Sequence, residues 1–171
     1  MIKKENNNKK LWYVIYVRSR HEKNVHSALL DKGIDASLPM RTVVRKWSDR
    51  KKKVKLPLFR GYIFVNIDLK IDNLNVLQTP GVVKFISIRK EPSRIPDEQI
   101  HWIHLMVTES AMVRNEKEIP VGQRVHVMAG PFKGTEGVVK RVGGKSRLVV
   151  LIESIMQAVS VDIKPEYLEK I

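Results

Sequence analysis

From Gly61 to Asp68 the chain reads GYIFVNID. In a pleated strand alternate residues point to opposite faces, which sets Tyr62, Phe64 and Asn66 on one side and Ile63, Val65 and Ile67 on the other. Both faces are apolar along most of the length, so this strand has to be central in its sheet. The segments around it supply the neighbours. LWYVIYVR (Leu11–Arg18) is a continuous aromatic and β-branched run of strand length. In SRHEKNVHSALLDKG the period changes to helical, with Val25, Ala28 and Leu29 at i, i+3, i+4 and Gly33 where a helix C-cap belongs. IDASLPMRTVVRKW predicts a second strand, demoted by its internal proline to an edge or bulged position. SDRK is turn chemistry, and KKVKL returns as the other arm of a basic hairpin. Beyond the central strand, Asp72 is placed to N-cap a short helix ending at TPG. VVKFISI is the next strand, PSRIPDEQ a loop, and DEQIHWIHLMVTES a helix. The order is β-α-β-β-α-β plus an extra helix, which predicts an α+β, ferredoxin-like antiparallel sheet with helices over residues 11–110.

After Ser110 the texture changes. AMVRNEKEIP is polar, aperiodic and ends in proline, which predicts a linker over 111–120. Short strands with glycine punctuation follow, and the AGPFKG, TEG and GGKS turns suit a small antiparallel barrel over 121–171. Gly130, Gly134 and Gly137 are expected at turns where a side chain would obstruct the backbone. LIESIMQAV is ambiguous, because Ile152, Ile155, Met156 and Val159 also fit a helical face.

Charge narrows the function classes. A net charge of +14 on 171 residues repels the chain from itself unless a polyanion or acidic surface receives it. Residues 1–110 hold 22 Lys and Arg against 11 Asp and Glu, and residues 111–171 hold 10 against 7, so the polyanion partner belongs to the first domain. Arg41–Arg60 alone carries nine basic residues and one acid, Asp49. Edge hairpins are also charged simply to block strand addition, and that reading stands beside the nucleic-acid one. The absence of cysteine excludes disulfides, thiolate metal sites and a cysteine nucleophile. No apolar run reaches the roughly 18 residues needed to span a bilayer. The opening MIKKENNNKK lacks the apolar centre of a signal peptide, so a frayed tail over 1–10 and a cytoplasmic location are expected.

Enzyme chemistry has little to stand on. His21, His26, His101, His104 and His126 form no HExxH, and His101 and His104 share a helix face without a third ligand in reach. GGKS lacks the upstream glycine of a P-loop. No cofactor or metal is expected.

Four stretches coincide in order and spacing: LWYVIYVRSRHEK, PLFRGYIFV, LQTPGVVKFI and VHVMAGPFKGTEGVV. Together they resemble the NusG family of transcription elongation factors, from about Leu11 onward. RKWSDRKKKVKLPLF and LQTPGVVKFISI are similar in wording to the specialised UpxY-type members, antiterminators at capsular polysaccharide operons, with RfaH a more distant functional analogue. The resemblance implies an N-terminal domain that grips the clamp helices of RNA polymerase through an aromatic hollow, and a C-terminal KOW barrel. Phe59, Tyr62 and Phe64 hold the places of that hollow, with Tyr16 and Phe85 as neighbours. Arg60 stands where the family's FPGY has proline, which loosens the turn before Gly61.

The resemblance also implies that Arg18, Arg20, His21 and Lys23 approach the upstream fork and the non-template DNA strand or nascent RNA, where guanidinium pairs with phosphate and stacks on unpaired bases. Asn75, Gln78 and Thr79 are the nearby polar groups able to read sequence, and Pro80 replaces an arginine of RfaH. Lys46, Arg50, Lys51, Lys52 and Lys53 add a salt-sensitive, sequence-blind contribution to upstream duplex or emerging RNA. For the KOW barrel the implied partner is a small-subunit ribosomal protein or the termination factor Rho. Refolding to a helical hairpin, as in RfaH, is opposed by the glycine and β-branched content of Val121–Gly144. A monomer is expected. Two other readings stay open: a general housekeeping elongation factor, and a KOW-containing ribosomal or RNA-binding protein, which would carry its greatest charge on the barrel.

Overall fold

Tyr62–Ile67 forms the interior strand its sequence requires, with a partner on each side. The computed structural model describes residues 9–47, 50–109, 114–116, 122–142 and 144–171. The first eight residues, Ser48 and Asp49 of the expected hairpin turn, and most of the segment read as a linker lie outside the described residues.

Along the chain run β1 (Leu11–Val17), α1 (Glu22–Asp31), β2 (Asp35–Ser37), β3 (Met40–Lys46), β4 (Lys51–Pro57), β5 (Tyr62–Ile67), α2 (Leu69–Leu77), β6 (Val82–Phe85), β7 (Ser87–Ile88), β8 (Glu91–Pro92) and β9 (Arg94–Ile95). Then follow α3 (Asp97–Glu109), β10 (Arg114–Glu116), β11 (Gln123–Val127), β12 (Glu136–Val142), β13 (Lys145–Ile152), β14 (Gln157–Asp162) and β15 (Leu168–Lys170). By its contacts the chain divides into two units, one made of residues up to Leu38 with Arg60–Asp97, the other of Pro39–Phe59 with Glu98–Ile171.

The first unit is an antiparallel sheet in the order β2-β5-β1-β6, with β9 also paired to β1. It contains two split β-α-β units: β1-α1-β2 encloses β5, and β5-α2-β6 encloses β1. Register sets the faces. Tyr13, Ile15 and Val17 of β1 and Ile63, Val65 and Ile67 of β5 join Val25 and Leu29 of α1, Val76 of α2 and Phe85 of β6 in one buried cluster. The alternate residues pair as Trp12 with Asn66, Val14 with Phe64 and Tyr16 with Tyr62 on the opposite face.

Local chemistry explains the element ends. Lys32 caps α1, and Gly33 follows with φ +73°, the left-handed value glycine adopts without a Cβ penalty. Pro39 divides the strand expected across Ile34–Trp47 into β2 and β3, since proline cannot donate to a ladder. Asp68, not Asp72, is the N-cap of α2. Its Oδ1 accepts from the Lys70 N–H at 2.9 Å, while Asp72 Oδ2 reaches back to the Asp68 N–H at 3.1 Å. The loop expected from Pro92 holds short strands instead, with Arg94–Ile95 paired to Tyr13 and Trp12.

In the second unit, β3 and β4 form a two-stranded hairpin from Met40↔Pro57 to Lys46↔Lys51. The C-terminal sheet is six-stranded and antiparallel, ordered β10-β14-β13-β12-β11-β15. The expected closure into a barrel is not formed among the described residues: three-residue β10 and β15 each pair on one side only. Arg114–Glu116, inside the segment read as linker, is the edge strand β10. The ambiguous LIESIMQAV is strand, one 3-10 turn at Glu153–Ile155, then strand, with Met156 in the left-handed region closing the turn. The buried Arg147 joins β13 to β14 through Ser160 and Asp162, so its charge is paired and its donors are used. Gln99 of α3 donates to the Leu151 carbonyl at 3.2 Å, which ties that helix to the same sheet.

Candidate functional site

The five aromatic rings expected to form one hollow do not share one environment. Tyr16 and Tyr62 meet across β1 and β5 with ring centroids 5.6 Å apart in an edge arrangement, and Tyr16 is 37% exposed. Phe64 lies on the same face but is 0% exposed, between Val14 and Ser37 of the flanking strands. Phe59 is likewise buried. Phe85 points the other way, into the helix-side cluster, where its ring meets Tyr13 edge-on at 6.4 Å. Of the five rings, Tyr16 and Tyr62 reach the surface, whereas Phe59, Phe64 and Phe85 are buried.

A third group joins the pair. Lys84 of β6 stands directly across from Tyr16, so Lys84, Tyr16 and Tyr62 make a row over three strands, with the lysine exposed. Sequence reasoning missed it because the register between β6 and β1 shifts at Tyr16/Val17. Two phenol rims and an ammonium beside a rigid sheet suit docking of a protein surface that is apolar at its centre and acidic at its edge.

The turn beneath the pair is firm despite the missing proline. The Gly61 N–H donates to Glu22 Oε1 at 3.0 Å, and the Val17 N–H donates to the Gly61 carbonyl at 2.8 Å. Gly61 has φ +79°, and a Cβ there would lie 2.9 Å from Tyr16 Cε2, so only glycine leaves room for the ring. Glu22, buried at the first turn of α1, thus ties the turn to that helix. Glu22→Ala leaves a buried N–H without its acceptor and is expected to lower stability by about 1–3 kcal/mol, whereas Glu22→Gln keeps an acceptor and loses less. Urea unfolding of the two variants checks this.

Four of the predicted nucleic-acid contacts follow the end of β1. The Arg18 N–H donates to the Gly81 carbonyl at 2.8 Å, which seats the β1–α1 junction against the TPG turn. Arg18, Arg20, His21 and Lys23 are all exposed there, Arg20 in the left-handed region and His21 Nδ1 3.0 Å from the Ser19 carbonyl oxygen. Asn75 and Gln78 are exposed as well. Thr79 is not available to read bases. It is 1% exposed, and its hydroxyl accepts from Lys32 Nζ at 2.9 Å and donates to the Asn75 carbonyl at 3.0 Å.

In the hairpin, Lys46, Arg50, Lys51, Lys52 and Lys53 are exposed. Arg45 faces Lys52 and Lys46 faces Lys51 directly across the ladder. Like charges directly opposite destabilise a two-stranded ribbon that is marginal on its own, so this arrangement favours an anionic occupant. Of the C-terminal glycines, Gly130 and Gly134 occupy turns with positive φ. Gly137 does not: it lies within β12, where a Cβ would run into the Val149 carbonyl of β13. No helix of the described residues is long and apolar enough to cross a membrane.

Comparison with known proteins fits this geometry. The family model described as transcription termination factor nusG matches residues 10–104. A transcription termination/antitermination protein NusG of Xylella fastidiosa is 30% identical over 176 residues, covering 90% of this chain and 95% of that protein. Its counterpart in Pseudomonas aeruginosa is 27% identical over 175 residues, covering 95% and 99%. A solved structure of Thermotoga maritima NusG, reported for its domain interaction, superposes with TM-score 0.57 at 26% identity, covering 95% of this chain and 98% of that one. With the family model spanning more than half of its length, the chain belongs to the NusG family.

Proposed function

We propose that this protein is a non-enzymatic transcription elongation and antitermination factor. Residues 11–110 dock on the clamp helices of RNA polymerase and hold the nucleic-acid scaffold closed, so that pausing and termination become rare. Residues 121–171 serve as the KOW domain, recruiting a small-subunit ribosomal protein or Rho. The observation that carries the docking is the edge-on Tyr16–Tyr62 ring pair, Tyr16 exposed and Tyr62 partly so, with the exposed Lys84 beside it. Arg18, Arg20, His21 and Lys23 engage non-template DNA or nascent RNA, and the basic hairpin engages upstream duplex or emerging RNA.

The wording of the hairpin and of LQTPGVVKFISI favours an operon-specific, UpxY-type role at polysaccharide operons. The names of the relatives favour a general factor instead. Transcript profiling of a deletion strain separates the two: the specialised role confines lost read-through to a few long operons, and the general role spreads it across the genome. The ribosomal reading is disfavoured because the excess positive charge lies in residues 1–110.

Single-round transcription by purified polymerase tests the activity. Adding the protein is expected to shorten pause dwell times and raise read-through at a terminator, and unchanged values of both reject the proposal. For the hairpin, replacing Lys51, Lys52 and Lys53 together with glutamine is expected to reduce the salt dependence of binding to a transcription bubble by about 2–3 in log-log slope. An unaltered slope returns those lysines to a solvent-facing role.

A further inference from the structure

Trp47 lies at the end of β3 with 58% of its surface exposed, although a tryptophan offers the largest apolar face of any side chain. Its position is fixed. The Trp47 N–H donates to the Arg50 carbonyl at 2.8 Å, carrying the hairpin ladder one step past Lys46↔Lys51. Alternation places Trp47 on the face that carries Arg45 and Lys52, which oppose one another two residues back. The described residues of the hairpin, 40–47 and 50–57, hold eight Lys and Arg and no carboxylate.

We propose that Trp47 is a base-stacking platform that makes the β3–β4 hairpin bind unpaired nucleotides in preference to duplex. A repeating polyanion satisfies the opposed cations, but the exposed indole asks for a second thing, a flat π-surface at the same place. Only an unpaired strand offers both. In a duplex the base faces are already stacked and the outside presents phosphate and sugar, which leaves the indole nothing flat to cover. The inference rests on the reading of the hairpin as a nucleic-acid contact and adds to it the class of ligand. Nothing among the described residues of the hairpin distinguishes ribose from deoxyribose, so the shared chemistry is a single strand of either kind.

The test uses the full chain and fluorescence anisotropy with three labelled probes: a 12-nucleotide oligothymidylate, a 12-nucleotide oligouridylate and a 12-base-pair DNA duplex. Trp47→Ala is expected to weaken binding to one or both single strands by about five-fold or more, with duplex affinity and the salt slope unchanged, since no charge is removed. Trp47→Phe, which keeps a π-face, is expected to recover most of the loss. The strand that responds identifies the source as DNA or RNA. Unchanged affinity for both strands, or an equal drop on the duplex, overturns the inference. So does a loss confined to polymerase affinity, which assigns the ring to a protein contact. If the unmodified chain binds none of the probes, the hairpin's nucleic-acid role falls as well; if binding survives Trp47→Ala, only the stacking role falls. Thermal melting of each variant, expected to match the unmodified chain because the ring is exposed, separates these outcomes from misfolding.

Discussion

Combining Tyr16→Ala with Tyr62→Ala is expected to lower affinity for core RNA polymerase by about 30-fold or more while leaving the fold intact. Truncating one hot-spot aromatic costs about 2 kcal/mol or more, which is about 30-fold, and the two touching rings are counted as a single anchor because such losses are not additive. The fold survives because both rings are partly solvated already and their edge contact is worth only about 0.5–1.5 kcal/mol. Lys84→Glu in an otherwise unmodified chain is expected to act mainly on the association rate, since a rim charge steers encounter more than it holds the complex. Surface plasmon resonance with immobilised polymerase reads both effects. Wild-type affinity in the double tyrosine variant removes this surface from the interaction.

Phe64→Ala is expected to behave in the opposite way: stability falls by about 3–5 kcal/mol, because a fully buried ring leaves a cavity that the flanking strands cannot close. That is a large share of the roughly 5–15 kcal/mol that holds a domain of this kind together. Any loss of polymerase binding in this variant therefore reports unfolding, not a missing contact. Urea denaturation followed by circular dichroism checks it, with a midpoint close to that of the unmodified chain contradicting the placement of Phe64.

The contrast between Tyr62 and Phe64 shows where sequence reading reaches its end. Alternation places both rings on one face of β5, and that much is legible in GYIFVNID. Which of them is sealed depends on Val14 and Ser37, brought alongside Phe64 by pairings with strands far away in the chain. Phe85 illustrates the same limit, since the shift in register at Tyr16/Val17 decides which face it joins. Thr79 looked like a base reader in a polar loop, but Lys32, brought in from the far end of α1, occupies its hydroxyl. A signal carried by a single residue fared better: Gly33 after the first helix acts through its own backbone and needs no distant partner. Two-residue strands such as Arg94–Ile95 are too short to show a period at all.

The row of Lys84, Tyr16 and Tyr62 carries the proposed function, and a crosslink tests it most directly. With a photoreactive benzoylphenylalanine in place of Tyr62, irradiation of the reconstituted elongation complex is expected to yield an adduct whose mass spectrum maps to the clamp helices of the polymerase. Adducts only within the protein's own chain, or only to nucleic acid, contradict docking through this face.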